Sequence, residues 1–327
     1  LSDNHVRSLL VDHEGTLWVG TSKGGLSRFD AQSQAFQHFR NDAEDYRTIS
    51  SDRVQVIFED DDQRLWVGTN RGLNLFTPGT GDFLSYRNDP TDAYSLSSDD
   101  IFSIFQDRSG ILWIGTRNDG LNKWNPRSWS FGHFKPSGEE GRQFGSSNIM
   151  SFTEDRTGRL WVAAFGSGLN ILERDGGRIT QVRHDPANAE TLSDDRVMTL
   201  LTDRDGKIWA GTMTSGLNRI DPETGTVKTF RHDPSDEYSL AADGIMSIHQ
   251  DRDGALWLGT FGGGVSRLDP GADGFVNFRH DPADDSSLSS SRATSIVEDA
   301  AGVIWVGTDG GGLNRLDRET GRWRRFV

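Results

Sequence analysis

Seven tryptophans recur along the chain at near-constant spacing. Trp18, Trp66, Trp113, Trp161, Trp209, Trp257 and Trp305 are separated by 48, 47, 48, 48, 48 and 48 residues, each inside a variant of Leu-Trp-Val-Gly-Thr. A fixed period of this size marks an array of one supersecondary unit, each copy too small to bury its own apolar face and completed by its neighbours. The single short interval has a visible cause. Asn70-Arg71-Gly72-Leu73 stands where the first unit reads Ser22-Lys23-Gly24-Gly25-Leu26, so one loop residue is missing and the register resumes.

Each unit holds four short runs rich in β-branched and aromatic residues. In the fifth they are Val197 to Thr202, Ile208 to Thr212, Leu217 to Asp221 and Val227 to Arg231. Their length and composition are those of strands. The first two runs are joined by Asp203-Arg204-Asp205-Gly206, with Asp first and Gly fourth as a tight hairpin turn requires. The same Asp…Gly turn recurs at Asp12/Gly15, Asp107/Gly110, Asp155/Gly158, Asp251/Gly254 and Asp299/Gly302, whereas the second unit has Gln63 in place of Gly. A four-stranded meander repeated seven times has one common solution, blades set radially around a channel. The chain is therefore expected to be all-β, a seven-bladed β-propeller with four antiparallel strands per blade. It reads as a single domain, 1–327, with blades near 1–48, 49–95, 96–143, 144–191, 192–239, 240–287 and 288–327. The Trp is expected to fill the space between blades and the nearby Gly to permit close backbone approach. Two modes of closure are open. Either blades 7 and 1 meet by face packing alone, or the termini share a blade.

Composition agrees and narrows function. Gly is abundant at 38 residues, Cys is absent, and the net charge is −14. That charge disfavours nucleic acid and anionic membrane as partners. Without Cys there is neither a disulfide nor thiolate chemistry. No apolar run has the length of a membrane helix. The chain opens inside a repeat, so it reads as a segment of something longer.

The consensus VxSIxxDxxGxLWVGTxxGGLxRxD followed by FxxFRHDP resembles the two-component regulator propeller repeat, and the resemblance runs along essentially the whole chain. It implies a sensor propeller in the periplasm or outside the cell, part of a membrane-anchored receptor such as a hybrid histidine kinase. Its neighbours there would be a second propeller or a β-sandwich domain, and members of this kind often respond to oligosaccharides. Signalling would then be done elsewhere in the parent protein.

Residues repeated in most blades read as structural, because one active site needs no sevenfold copies. His184, His232 and His280 each precede Asp-Pro after an outer strand. Equivalent outer positions lie roughly 15 Å apart, far beyond the reach of a shared metal ion with bonds of about 2 Å. Blade 2 carries Asn88 at this place, which suits a hydrogen-bonded turn. The Asp…Gly turns lack the further oxygen ligands and distal Glu of a calcium loop. No metal and no cofactor are expected. Nucleophile motifs such as G-x-S-x-G are missing. The streptogramin lyase is similar in architecture and in its Gly-rich short strands, but its catalytic His and Glu find no unique match here. The chain is read as no enzyme.

The informative positions are those that vary against the repeat. The second-to-third connection and the approach to the first strand fall at one end of every blade. Blades 1 to 3 carry Ser22, Lys23, Asn70, Arg71, Arg117 and Asn118 there, blades 4 to 6 carry Phe165, Met213 and Phe261, and blade 7 carries Asp309. Arg7, Arg53 and Arg292 extend the basic arc, and Phe102, Met150, Met198 and Met246 extend the apolar one. The candidate ligand site is Arg7, Lys23, Arg53, Arg71, Arg117, Phe165, Met213 and Phe261. Arg and Lys would hold anionic or hydroxyl-rich groups and Phe would stack on a sugar ring or other apolar face. The competing reading is packing caps and solvated loop residues. Blade 4 departs most, with Ala163-Ala164 where others read Gly-Thr, and blade 3 has Trp124, Trp129 and a Gly138-Glu139-Glu140-Gly141 connection. Three functions remain: a sensor module for an oligosaccharide or small polar molecule, an interaction module without ligand, and, least favoured, a lyase or glycan hydrolase.

Overall fold

The computed structural model describes residues 1–125, 130–134, 144–173 and 178–327. Among them are twenty-eight strands in seven antiparallel sheets, each built from four consecutive strands. The protein is a seven-bladed β-propeller. Trp129 and the Gly138–Gly141 connection lie outside the described residues.

The first strand of each blade is innermost, and these strands pack on one another all round the ring. They run Val6–Val11, Val54–Glu59, Ile101–Gln106, Ile149–Glu154, Val197–Thr202, Ile245–Gln250 and Ala293–Glu298. Blade 1 is complete with Val6–Val11 through Ala35–Phe39, and blade 7 with Ala293–Glu298 through Trp323–Phe326, so the termini share no blade. The ring closes by packing and by backbone. The N–H groups of Gly310 and Gly312 donate to the Asn4 carbonyl, and His5 bridges Asp309.

The core is divided into seven slices, one between each pair of blades. Trp18 and Leu26 of blade 1 meet Val54, Ile57 and Phe76 of blade 2, and at the seam Trp305 and Leu313 of blade 7 meet Val6, Leu9 and Phe29 of blade 1. A buried Trp removes on the order of 200 Å² from water, which stabilises by about 5 kcal/mol on apolar area. In the six blades other than the fourth, the Gly two residues after the Trp has little room for a side chain. A Cβ at Gly68 would lie 2.7 Å from Cγ2 of Ile101 in the next blade. Blade 4 places Ala163 here, fully buried beside Leu169 and Val197.

The repeated motifs have structural work. In all seven blades the turn Asp accepts a hydrogen bond from the indole Nε1 of the Trp six residues later, as in Asp12–Trp18 at 2.7 Å and Asp203–Trp209 at 2.7 Å. Its other oxygen accepts turn N–H groups, such as that of Lys207 at 2.8 Å. Gln63 takes the turn's positive φ, 62°, that Gly holds elsewhere. His184, His232 and His280 donate Nδ1–H to the carbonyls of Leu192, Leu240 and Leu288 at 2.6, 2.6 and 2.7 Å. Asn41 and Asn88 make the same bond to Ile49 and Leu96 through Nδ2. An amide and an imidazole are interchangeable at this position because only one N–H is used.

Candidate functional site

Every inner strand carries a β-bulge at its second residue. In blade 1, Val6 pairs with Thr21 and Ser8 with Gly20, which leaves Arg7 unpaired between them. The same shift occurs in the other six blades. A bulge re-aims the side chain of its extra residue, and here the seven bulged side chains turn into the channel. The ring they form is Arg7, Gln55, Phe102, Met150, Met198, Met246 and Thr294. All seven border one cavity of about 300 Å³, together with Ser22, Phe261 and Asp309 at the mouth. Polar residues come from the consecutive blades 7, 1 and 2, and apolar ones from the consecutive blades 3 to 6. The cavity therefore has two opposed walls. Three of the protein's four methionines are in this ring.

Outside the bulge ring lies a ring of residues preceding the inner strands, bonded to the loop between second and third strands. Phe165 N–H donates to Asn148, Met213 N–H to Arg196, and Phe261 N–H to Gly244. These ties fix the loops and set their side chains around the mouth. Met213 is 43% and Phe261 53% exposed, more than a side chain engaged only in packing.

Charges at the mouth are mostly paired. Arg117 faces Asp100 at 3.8 Å, Arg292 binds Asp309 at 2.9 Å, and His5 binds Asp3 at 3.0 Å. Arg292 also lies over the ring of Phe261, at 5.5 Å from its centroid. Arg7 has a different environment. Its Nε donates to Ser22 Oγ at 2.7 Å and its Nη1 to Gln55 Oε1 at 3.2 Å, both neutral acceptors. Gln55 in turn donates to Asp100 at 2.8 Å. Burial, followed by the charge of Arg53, pushes the Arg7 pKa down from its ordinary value. The guanidinium stays charged at neutral pH. The Nε of Arg53 is buried without a hydrogen-bond partner.

The eight sequence candidates separate by location. Arg7 and Phe261 border the cavity. Arg53 and Arg117 belong to the charged cluster beside it, since both act on Arg7 electrostatically. Phe165 and Met213 occupy the loop position equivalent to Phe261. Lys23 is exposed, with its backbone N–H bonded to Asp3 at 2.8 Å. Arg71 borders another groove, of about 690 Å³, shared with Tyr46, Arg47, Leu84 and Arg87 on the rim of blades 1 and 2. Sequence reasoning passed over Gln55 and Thr294, although both sit at the bulge position. The available signal was one position per repeat that varies between two conserved flanks.

Comparison with known proteins follows the same repeat. The family described as "Two component regulator propeller" matches residues 1–23, 48–71, 95–118, 191–214, 239–262 and 287–310. The fourth blade, which carries Ala163-Ala164, is outside those matches. Histidine kinase P4 of Formosa agariphila is 29% identical over 64 residues, 20% of this chain and 5% of that protein. The extracellular domain of a hybrid two-component system from B. thetaiotaomicron aligns with a TM-score of 0.83 and 27% identity, covering 96% of this chain and 40% of that one. Virginiamycin B lyase from Staphylococcus aureus aligns with a TM-score of 0.66 and 14% identity, over 99% of this chain and 96% of that one. At that identity the likeness is one of fold. The chain thus spans less than half of the two-component relative, and the segment matched to the kinase covers about one-twentieth of that protein.

Proposed function

Because its repeats make this chain a member of the two-component regulator propeller family, we propose that it is the ligand-sensing propeller of a bacterial two-component-type receptor. It lies in the periplasm or outside the cell. It binds a small polar molecule, such as the end of an oligosaccharide, at the mouth of the channel, and it carries out no reaction. The output is delivered by other parts of the parent receptor, with a neighbouring propeller or β-sandwich domain receiving the signal.

The observation that carries this reading is the two-walled cavity. A propeller used only as a scaffold has no need of bulged side chains sorted into one polar and one apolar arc. The titratable groups among the described wall residues are Arg7 and Asp309, and Asp309 is held by Arg292. That is a set for holding a molecule, with no nucleophile and base placed for attack. Calorimetric titration and thermal shift against a panel of glycans and small polar molecules test the reading. A ligand at one hundred times its Kd adds about 2.7 kcal/mol to stability. Its binding should weaken by roughly tenfold or more in Arg7→Ala and in Phe261→Ala, while Arg71→Ala, on the separate groove, should bind normally. Unchanged affinity in the first two variants would place the site elsewhere.

A second reading, a surface that docks another domain of the parent, rests on the rim of blades 1 and 2. Tyr46 and Leu84 are 90% and 54% exposed there. A thermal shift with small molecules separates the two, since docking predicts none.

A further inference from the structure

Pairing off the charges at the channel mouth leaves an imbalance. Asp100 and Asp309 are paired with Arg117 and Arg292, and Asp3 is held by hydrogen bonds from His5 and the Lys23 N–H. The two remaining guanidinium groups, Arg7 and Arg53, have no carboxylate within ion-pair distance among the described residues. They come from adjacent blades, close enough for Arg53 to act electrostatically on Arg7. Arg7 borders the cavity directly, and Arg53 keeps a buried Nε–H with no acceptor. Asp309 and Asp100 offset the charge of Arg7 only from a distance, and a half-buried cation with no carboxylate in direct contact is costly. Across the cavity stand Phe102, Met150, Met198 and Met246, which offer no hydrogen bond worth the name but a soft, adaptable apolar surface. A volume of about 300 Å³ is at the small end for ligand pockets.

Resting on the sensor reading above, we propose that the ligand is a small amphipathic anion, a carboxylate carried on an apolar body of about one ring. The carboxylate sits against Arg7, whose guanidinium is already oriented by Ser22 and Gln55, and Arg53 adds its charge from beside the cavity. The apolar body lies on the Phe102 and methionine wall. A neutral sugar satisfies neither side well. Its hydroxyls would face thioethers on one wall, and on the other it brings no charge to the guanidinium of Arg7.

The probes are matched pairs: phenylpropanoate and hexanoate, their primary amides, and the neutral disaccharides maltose and cellobiose. Binding is read by calorimetry and by the shift in Tm. Phenylpropanoate or hexanoate should raise Tm and bind roughly tenfold or more tightly than its amide, the difference between a charge-assisted and a neutral hydrogen-bonded contact. Arg7→Gln should abolish the preference for the acid over the amide. Met198→Gln, on the far wall, should weaken acid and amide alike, and it keeps the test open if Arg7→Gln fails to fold. If neutral disaccharides bind and the carboxylates do not, this ligand class is wrong and the sensor reading stands. If no probe binds, both fall. If acid and amide bind equally, the apolar wall is engaged but the anion assignment is overturned.

Discussion

At the scale of single residues, the repeated polar side chains are spent on holding the backbone. The turn aspartates illustrate the energetics. Burial by itself would raise the Asp155 carboxyl, but hydrogen bonds from Thr157, Trp161 and Arg159 outweigh it and hold the pKa below the usual carboxylate value. Asp251 behaves likewise, with burial opposed by Trp257, Ala255 and Arg318. A carboxyl whose folded pKa is depressed contributes stability that is fully present above the unfolded value of about 3.9 and is lost as pH falls through the folded value. Stability in urea should therefore vary little with these groups between neutrality and pH 5, then fall below about pH 4. Asp155→Asn should make that acid limb less steep, and an unchanged slope would show that Asp155 is not one of the groups responsible. The Asp and Gly of each turn were legible from their spacing. The bond from Asp to the Trp indole was not, because it spans a hairpin and depends on both strands being in register.

At the scale of the element, neighbouring inner strands are latched at the end opposite the cavity. The last residue of an inner strand accepts the N–H of the second turn residue in the preceding blade. Glu59 accepts from His13, Gln106 from Asp61, Glu154 from Arg108, Gln250 from Arg204 and Glu298 from Arg252. Thr202 and Val11 occupy this position in blades 5 and 1. Glu298 also receives Nε of Arg252 at 2.8 Å and Nη2 of Arg318 at 3.0 Å. Glu298→Ala should cost about 1–3 kcal/mol in urea unfolding, against less than about 0.5 kcal/mol for the exposed Glu14→Ala. Equal effects would mean the latch is solvent-screened and idle. The bulge at the other end of the same strand turns a side chain toward the cavity of the proposed site. Strand composition located the strand, but residue type does not encode a bulge that inserts one residue against the partner. Arg7, Phe102, Met150, Met198 and Met246 were legible as residues of this end, but only the register joined them with Gln55 and Thr294 in one ring.

At the scale of the whole molecule, the seam between blades 7 and 1 differs from the other joins in covalent continuity. Six blade boundaries are crossed by the chain, and the seventh is held by contacts. At that seam the latch position is Val11, so closure relies on the Trp305 slice of core, on Leu9 N–H to Ser295 Oγ at 3.0 Å, on Thr294 Oγ1 to the Val6 carbonyl at 2.7 Å, and on Asn4 accepting from Gly310 and Gly312. Removing residues 1–4 deletes the two Asn4 bonds, the Asp3 bonds to His5 and Lys23 and the Ser2–Ser27 bond, and should lower stability by more than about 2 kcal/mol, at roughly 1 kcal/mol for each buried bond. Hydrogen exchange should then rise first in blades 7 and 1, and a uniform rise would show that the ring opens elsewhere.

Amino-acid order alone determined the repeat, the number of blades, the four strands in each, and the separation of structural motifs from variable ones. These follow from local periodicity, because the hydrophobic pattern and turn residues of one unit are recorded seven times. Closure, the assignment of Arg7 and Phe261 to one cavity and of Arg71 to another, and the two unpaired guanidinium groups were decided by the tertiary structure. Each depends on which residues from separate blades face one another across the channel, and that is set by bulge register and ring geometry.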